Sequence, residues 1–158
     1  TSCTHTLLFE TGGDILTPEN REKYKQLKIM DITQWLKEVV LPRIKVIRPK
    51  NRILLHPTCS CQIMGLTPVL LDIARKCARE VILPDNWGCC GASGDRGFIF
   101  PELSDSATRD ERDEIGHESF DGCYSLARTC EIAMQDHIEQ PYESIVYLVD
   151  ETIQDQGT

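Results

Sequence analysis

The sequence predicts an α/β domain: a short, mainly parallel sheet flanked by helices, with a cysteine site on loops at strand ends. Three observations predict it. Two compact apolar runs, Arg52–His56 and Glu80–Pro84, have the length and continuity of buried strands. Between them, Gly65–Arg79 sets Leu66, Val69, Leu70, Ile73, Ala74 and Cys77 on one helical face, and strand–helix–strand alternation favours parallel pairing. Cysteines then follow each run directly, Cys59 and Cys61 after the first, Cys89 and Cys90 after the second. Loops beyond the carboxyl ends of strands are where such folds keep their sites.

The elements follow in order. The opening, Thr1–Thr17, shows no strong periodicity. Thr17 reads as an N-cap with Pro18 in the first turn of a helix running through Arg21–Leu27. Ile29-Met30 is a short apolar stub with the character of a strand. Asp31 and Gln34 stand at capping-box spacing before Trp35, Leu36, Val39 and Val40, a helix expected to stop before Pro42. After the second strand, the loop Asp85–Phe98 carries a Cys-Cys-Gly sequence. Ser104 reads as the N-cap of a polar helix ending near Gly116, whose acidic stretch Asp105–Glu114 reads as a solvated face. A loop at Glu118–Asp121 leads to Cys123, Ser125–His137 reads as helix, and Ser144–Val149 as a strand or a strand turning into a helix. The tail after Asp155 is expected to fray.

Composition narrows the function classes. The chain has 158 residues, 41% apolar and 27% charged, enough for one hydrophobic core. Net charge is −8, with scattered basic residues and only a loose run at Lys45, Arg48, Lys50 and Arg52; no nucleic-acid footprint is expected. No apolar run reaches membrane-spanning length and no signal peptide is visible. Residue 1 is Thr rather than Met, which predicts a fragment of a larger protein.

Eight cysteines is the unusual count: Cys3, Cys59, Cys61, Cys77, Cys89, Cys90, Cys123 and Cys130. Adjacent cysteines such as Cys89 and Cys90 rarely pair with each other, and a domain of this size needs no staples. The pattern points to metal ligands or redox thiols in a reducing compartment. Thiolates select zinc, copper(I) and iron–sulfur clusters. In Gly88-Cys89-Cys90-Gly91, the flanking Gly88 and Gly91 allow a sharp bend that brings adjacent thiols to one centre, and backbone N–H groups in Gly91–Gly94 could donate to sulfur.

These residues resemble the CCG cysteine-rich domain of heterodisulfide reductase subunits and glycolate oxidase iron–sulfur subunits: a Cys, a gap of about thirty residues, Cys-Cys-Gly, a similar gap, then Cys-x-x-Cys. Cys59 precedes Cys89 with 29 residues between them, and Cys130 occupies the last cysteine position, with Ala127 where the pattern has a further Cys. Cys123 is the candidate substitute. The stretches His56–Cys61, Gly88–Gly97, Pro101–Arg109, Arg128–Ile132 and Pro141–Leu148 are similar to the carboxyl-terminal region of large FAD-linked D-lactate (D-2-hydroxyacid) dehydrogenases, over most of the chain from about Cys3 to Thr152.

The resemblance implies an iron–sulfur cluster, of 4Fe–4S type, held by Cys59, Cys89, Cys90 and Cys130 with Cys61 and Cys123 as further candidates. It implies FAD only on a flavin domain elsewhere in the parent chain, which would be the electron donor; the acceptor is unspecified. On this reading 1–50 is the tail of a first CCG repeat with connecting helices, with Cys3 its last cysteine, and 51–158 is a complete second repeat. The fragment alone would be inactive, and the parent cytoplasmic or peripheral to the inner membrane.

Two other readings of the cysteines remain open: a zinc-binding structural module, and a thiol–disulfide centre with Cys89 or Cys90 as nucleophile. Cys77 reads as core. His56 reads as a packed, hydrogen-bonded side chain closing its strand, with a ligand role open to it and to His117; His5 and His137 read as surface. Asp95 and Arg96 read as a local ion pair shaping the loop, or Arg96 as a charge facing a thiolate centre.

Overall fold

In the computed structural model, which describes residues 14–153, four parallel strands form one sheet in the order β2-β1-β3-β4. Cys3, His5 and the tail beyond Ile153 lie outside the described residues.

Helix α1 (Pro18–Lys25) starts as expected, with the Thr17 hydroxyl accepting from the Asn20 N–H. Ile29-Met30 forms no strand. Helix α2 (Ile32–Trp35) opens with the full capping box: Asp31 accepts from the Thr33 N–H at 2.9 Å and Gln34 accepts from the Asp31 N–H at 3.2 Å. The helix does not stop before Pro42. It widens into a π-helical stretch, Leu36–Val40, then tightens into a 3-10 turn, Leu41–Arg43. Proline lacks the N–H an α-helix would use, and it is tolerated at the start of such a turn.

Strand β1 (Lys50–Leu55) leads through His56 to the short helix α3 (Cys59–Ile63), then α4 (Thr67–Cys77) and β2 (Ala78–Ile82). The face expected of α4 is the one it buries: Leu70, Ile73, Ala74 and Cys77. The loop from Leu83 to Asp95 carries the paired cysteines and ends in the four-residue α5 (Arg96–Ile99). Helix α6 (Pro101–Ile115) starts before Ser104, which is buried inside it rather than capping it, because Pro101 supplies the first turn. Strand β3 (Gly122–Ser125) fills the stretch around Cys123 that follows the expected loop and includes Ser125, read as the start of a helix; that helix, α7 (Arg128–Ile138), begins three residues later. Strand β4 is the three residues Tyr142–Ser144, after which Ile145–Thr152 is helix α8 and not strand, capped by the Ser144 hydroxyl.

β1 pairs with β2 and β3 on either side, in register Arg52↔Glu80 and Leu54↔Cys123. Alternation along the strands splits the core into two layers. Ile53, Leu55 and Tyr124 face α4, α8 and the segment containing Leu36 and Leu41. Leu54, Cys123 and Tyr142 face α6 and α7 through Ile115, Ala133, Met134 and Ile138. Among the described residues no helix is long and apolar enough to cross a membrane.

Candidate functional site

In a 2-1-3-4 sheet the chain leaves β1 toward one side and later returns to its other side. The carboxyl ends of β1 and β3 therefore bound a crevice that no direct connection fills. His56 follows β1, Leu126 and Ala127 follow β3, and the Cys-Cys-Gly loop arrives from β2.

Two of the expected thiols meet at this crevice. Cys90, 4% exposed, lies on the loop after β2, and Cys130, 6% exposed, lies in the first turn of α7; their Sγ atoms are 2.9 Å apart. The contact with Cys130 is the main reason the Cys90 thiol is pulled down to about 6, against the opposing effect of burial and with help from the Ala92 backbone and His56. Cys89 is exposed, and its sulfur accepts from the Gly91 N–H at 3.4 Å. Cys59 is exposed at the start of α3.

The other candidates separate. Cys123 lies in the same core layer as Cys90 and Cys130, and burial pushes its thiol up to about 12. Cys61 lies in the opposite layer, with Cys77; burial pushes Cys61 up to about 11 and raises Cys77 as well. None of the seven described cysteines is in a disulfide.

The loop is held in place from three directions. Exposed Glu114 on α6 accepts from the N–H groups of Asp85 (2.7 Å) and Asn86 (2.8 Å). Gly91 has φ +74°, and a Cβ there would stand 2.6 Å from Leu103 O and from Ser104 Cα. Gly97 comes almost as close, with a Cβ position 2.7 Å from Ser104 Oγ. Gly88 differs from expectation: its φ is ordinary and open space surrounds it, so the bend rests on Gly91. Arg96 and Asp95 are both exposed, and among the described ion pairs none joins them.

Beside the thiols lies a buried polar group that the sequence reading missed in part. His56 Nδ1 is 2.9 Å from Glu111 Oε2 and 3.1 Å from Oε1, with both side chains about 2% exposed or less. His56 is hydrogen-bonded as expected, but Glu111 is not on a solvated face. The buried positions of α6 are Ser104, Thr108, Glu111 and Ile115, a helical stripe that is mostly polar, and a search for apolar periodicity passes over it. His56 Nε2, Tyr142 OH and Ser104 Oγ are buried with no hydrogen-bond partner among the described residues. The Tyr142 ring meets the His56 ring edge-on at 6.5 Å. His137, expected at the surface, is half-buried with Nδ1 4.0 Å from Asp105, and His117 is exposed.

Thiol donors fit a soft metal or an iron–sulfur centre by their chemistry. Two of the four first-choice thiols are in contact; of the other two, Cys59 stands in the first turn of α3 after β1 and Cys89 on the loop after β2. Among the described residues no group of three or more His, Cys, Asp or Glu side chains is arranged to hold a metal ion. Two thiolates sharing one tetrahedral zinc would stand roughly 3.8 Å apart. At 2.9 Å the two sulfurs stand closer than that, in direct contact. Compared with known proteins, the chain matches no family model and no curated protein.

Proposed function

We propose that this chain is a CCG-type redox module that relays electrons within a FAD-linked D-2-hydroxyacid dehydrogenase of the D-lactate type, working in the reducing cytoplasm. Cys59, Cys89, Cys90 and Cys130 would hold an iron–sulfur cluster. When bound, the cluster would supply one-electron storage between a flavin domain of the parent chain and an acceptor.

The observation that carries this reading is the meeting of Cys90 and Cys130, 40 residues apart in sequence, at the switch point of the sheet. The Cys130 contact lowers the Cys90 thiol and so favours its thiolate, which is the form that binds metal. The chain's own residues do the rest. The Gly91 N–H donates to the Cys89 sulfur, a type of contact that tunes redox centres. The Leu54, Ala92 and Met134 side chains keep the inner side of the site dry. The exposed Cys59 and Cys89 leave the outer side open to a partner domain.

The test is to purify the chain without oxygen, supply iron and sulfide, and count iron, sulfide and zinc per chain alongside visible absorption and EPR. About four irons with matching sulfide, lost on Cys90→Ser or Cys130→Ser, is the expected result. One tight zinc and no iron under the same conditions would overturn the electron-relay reading in favour of a structural metal site.

A further inference from the structure

We propose that Cys90 and Cys130, when no metal occupies them, are a site of reversible disulfide formation driven by a peroxide. This rests on the thiol geometry and stands whether or not the cluster reading holds.

The two sulfurs already touch at 2.9 Å, and both are anchored. Cys130 is fixed in the first turn of an eleven-residue helix, and Cys90 sits on a loop pinned by Glu114 and by the close approach of Gly91 to Leu103 and Ser104. Among the described thiols Cys123 shares the core layer of the pair. Cys61 and Cys77 lie across the sheet in the other core layer, and a bond between the adjacent Cys89 and Cys90 would close a strained ring.

A surface cleft lies near the pair along the chain, without either sulfur in its wall. The cleft, of about 210 Å³, is lined by Ala92, two residues beyond Cys90, and Ala133, three beyond Cys130, with the partnerless Ser104 hydroxyl in its wall.

The chemistry balances with peroxide as the only co-reactant. One thiolate sulfur attacks a peroxide oxygen, the O–O bond breaks, and the departing hydroxide takes up a proton to leave as water. The resulting sulfenic acid is attacked by the second sulfur; the S–O bond breaks and a second water leaves. Two thiols and one peroxide become one disulfide and two waters. A dithiol returns two electrons and two protons and restores the pair. Contact between the sulfurs captures the sulfenic acid before it can be oxidised further. The product ties the loop after β2 to α7 and occupies both inner thiols.

The experiment uses metal-free chain carrying Cys59→Ser and Cys89→Ser, so that exposed thiols do not consume the oxidant. It is treated with one equivalent of hydrogen peroxide, alkylated and digested with trypsin. Peptide 80–96 then contains Cys90 alone, and peptide 129–158 contains Cys130 alone. The expected result is an intact mass lower by two hydrogens, a cross-link between these two peptides, and its loss on adding dithiothreitol or on the further change Cys130→Ser. Recovery of both cysteines alkylated, or as separate sulfinic acids, would overturn the proposal. A cross-link to the Cys123 peptide, 113–128, instead of to 129–158 would also overturn it. Iron counting on the reconstituted wild-type chain reads the cluster hypothesis separately, so the two can fail independently.

Discussion

His56 is fixed along both its backbone and its ring. Its N–H donates to Tyr124 O at 2.9 Å, its carbonyl accepts from the Ser125 hydroxyl at 2.8 Å, and its Nδ1 meets the Glu111 carboxylate. The imidazole is thus aimed from β1 into the layer that holds Cys90. Burying a polar ring without a partner costs about 1–3 kcal/mol, whereas keeping an acceptor in place costs little. Glu111→Leu leaves both ring nitrogens of a buried histidine unpaired, so it is expected to lower unfolding free energy by about 2 kcal/mol in urea titrations, and Glu111→Gln by clearly less. Equal losses from the two variants would show that the contact contributes only volume. The thiol pair was legible in the sequence because Cys90 follows an apolar run within Cys-Cys-Gly and Cys130 stands at the last cysteine position of the pattern the chain resembles. Glu111 was not, since an acid in an acid-rich helix carries no mark of burial until its partner on another element is known.

At the scale of elements, the decisive junction is the one joining the cysteine loop to α6. Gly91 adopts a left-handed φ and lies against the backbone of Leu103 and Ser104, so a side chain would meet both conformational strain and atoms that cannot move aside. Gly91→Ala is expected to cost about 2 kcal/mol or more, and to loosen the Cys90–Cys130 contact, while Gly88→Ala leaves stability within about 0.5 kcal/mol. Thermal unfolding of the two variants checks the contrast; equal stability would remove Gly91 from its role. The sequence reading assigned the bend to both glycines because composition cannot distinguish a required φ from a permitted one.

Strands β3 and β4 escaped the sequence for a related reason. Gly122–Ser125 is four residues long with no apolar run, yet it lies between β1 and β4, and sheet position rather than propensity makes it a strand. Helix α8 was legible after all: Ile145, Leu148, Val149 and Thr152 recur at i, i+3, i+4 and i+7, and all four are buried. Its β-branched content pulled the reading toward strand.

Across the whole molecule, carboxylates hold distant segments together at the surface. Asp121 accepts from the Asn51 N–H at 2.6 Å and joins β1 to the approach of β3; Glu114 joins α6 to the cysteine loop through the Asn86 and Asp85 N–H groups. These backbone hydrogen bonds hold both carboxyls below the ordinary range. Lys37 does the same for Asp72, and Arg112 for Asp105. A carboxyl lowered in the folded state adds stability above its unfolded value of about 4, and that contribution is lost as pH falls through the folded value. In metal-free chain carrying Cys90→Ser, which removes the thiol that titrates in between, the thermal midpoint is therefore expected to hold steady from about pH 7 to 5 and to fall below about pH 4. Added salt should weaken the Lys37–Asp72 and Arg112–Asp105 pairs more than the backbone bonds. A midpoint that rose on acidification would contradict this assignment. The α/β class and its parallel sheet were legible at this scale; the carboxylate ties were not, because each joins segments up to 70 residues apart.

The strand order has a consequence for how the chain is made. β1 is complete by residue 55, but its neighbour β3 begins only at residue 122. A chain emerging from the ribosome amino end first therefore exposes Cys59, Cys61, Cys77, Cys89 and Cys90 while the middle of the sheet still lacks a strand. Cys130 emerges after all of them. The buried thiol contact is thus assembled only once the central strand has been made, and whatever comes to occupy it, metal or oxidant, meets a sheet that already has its middle.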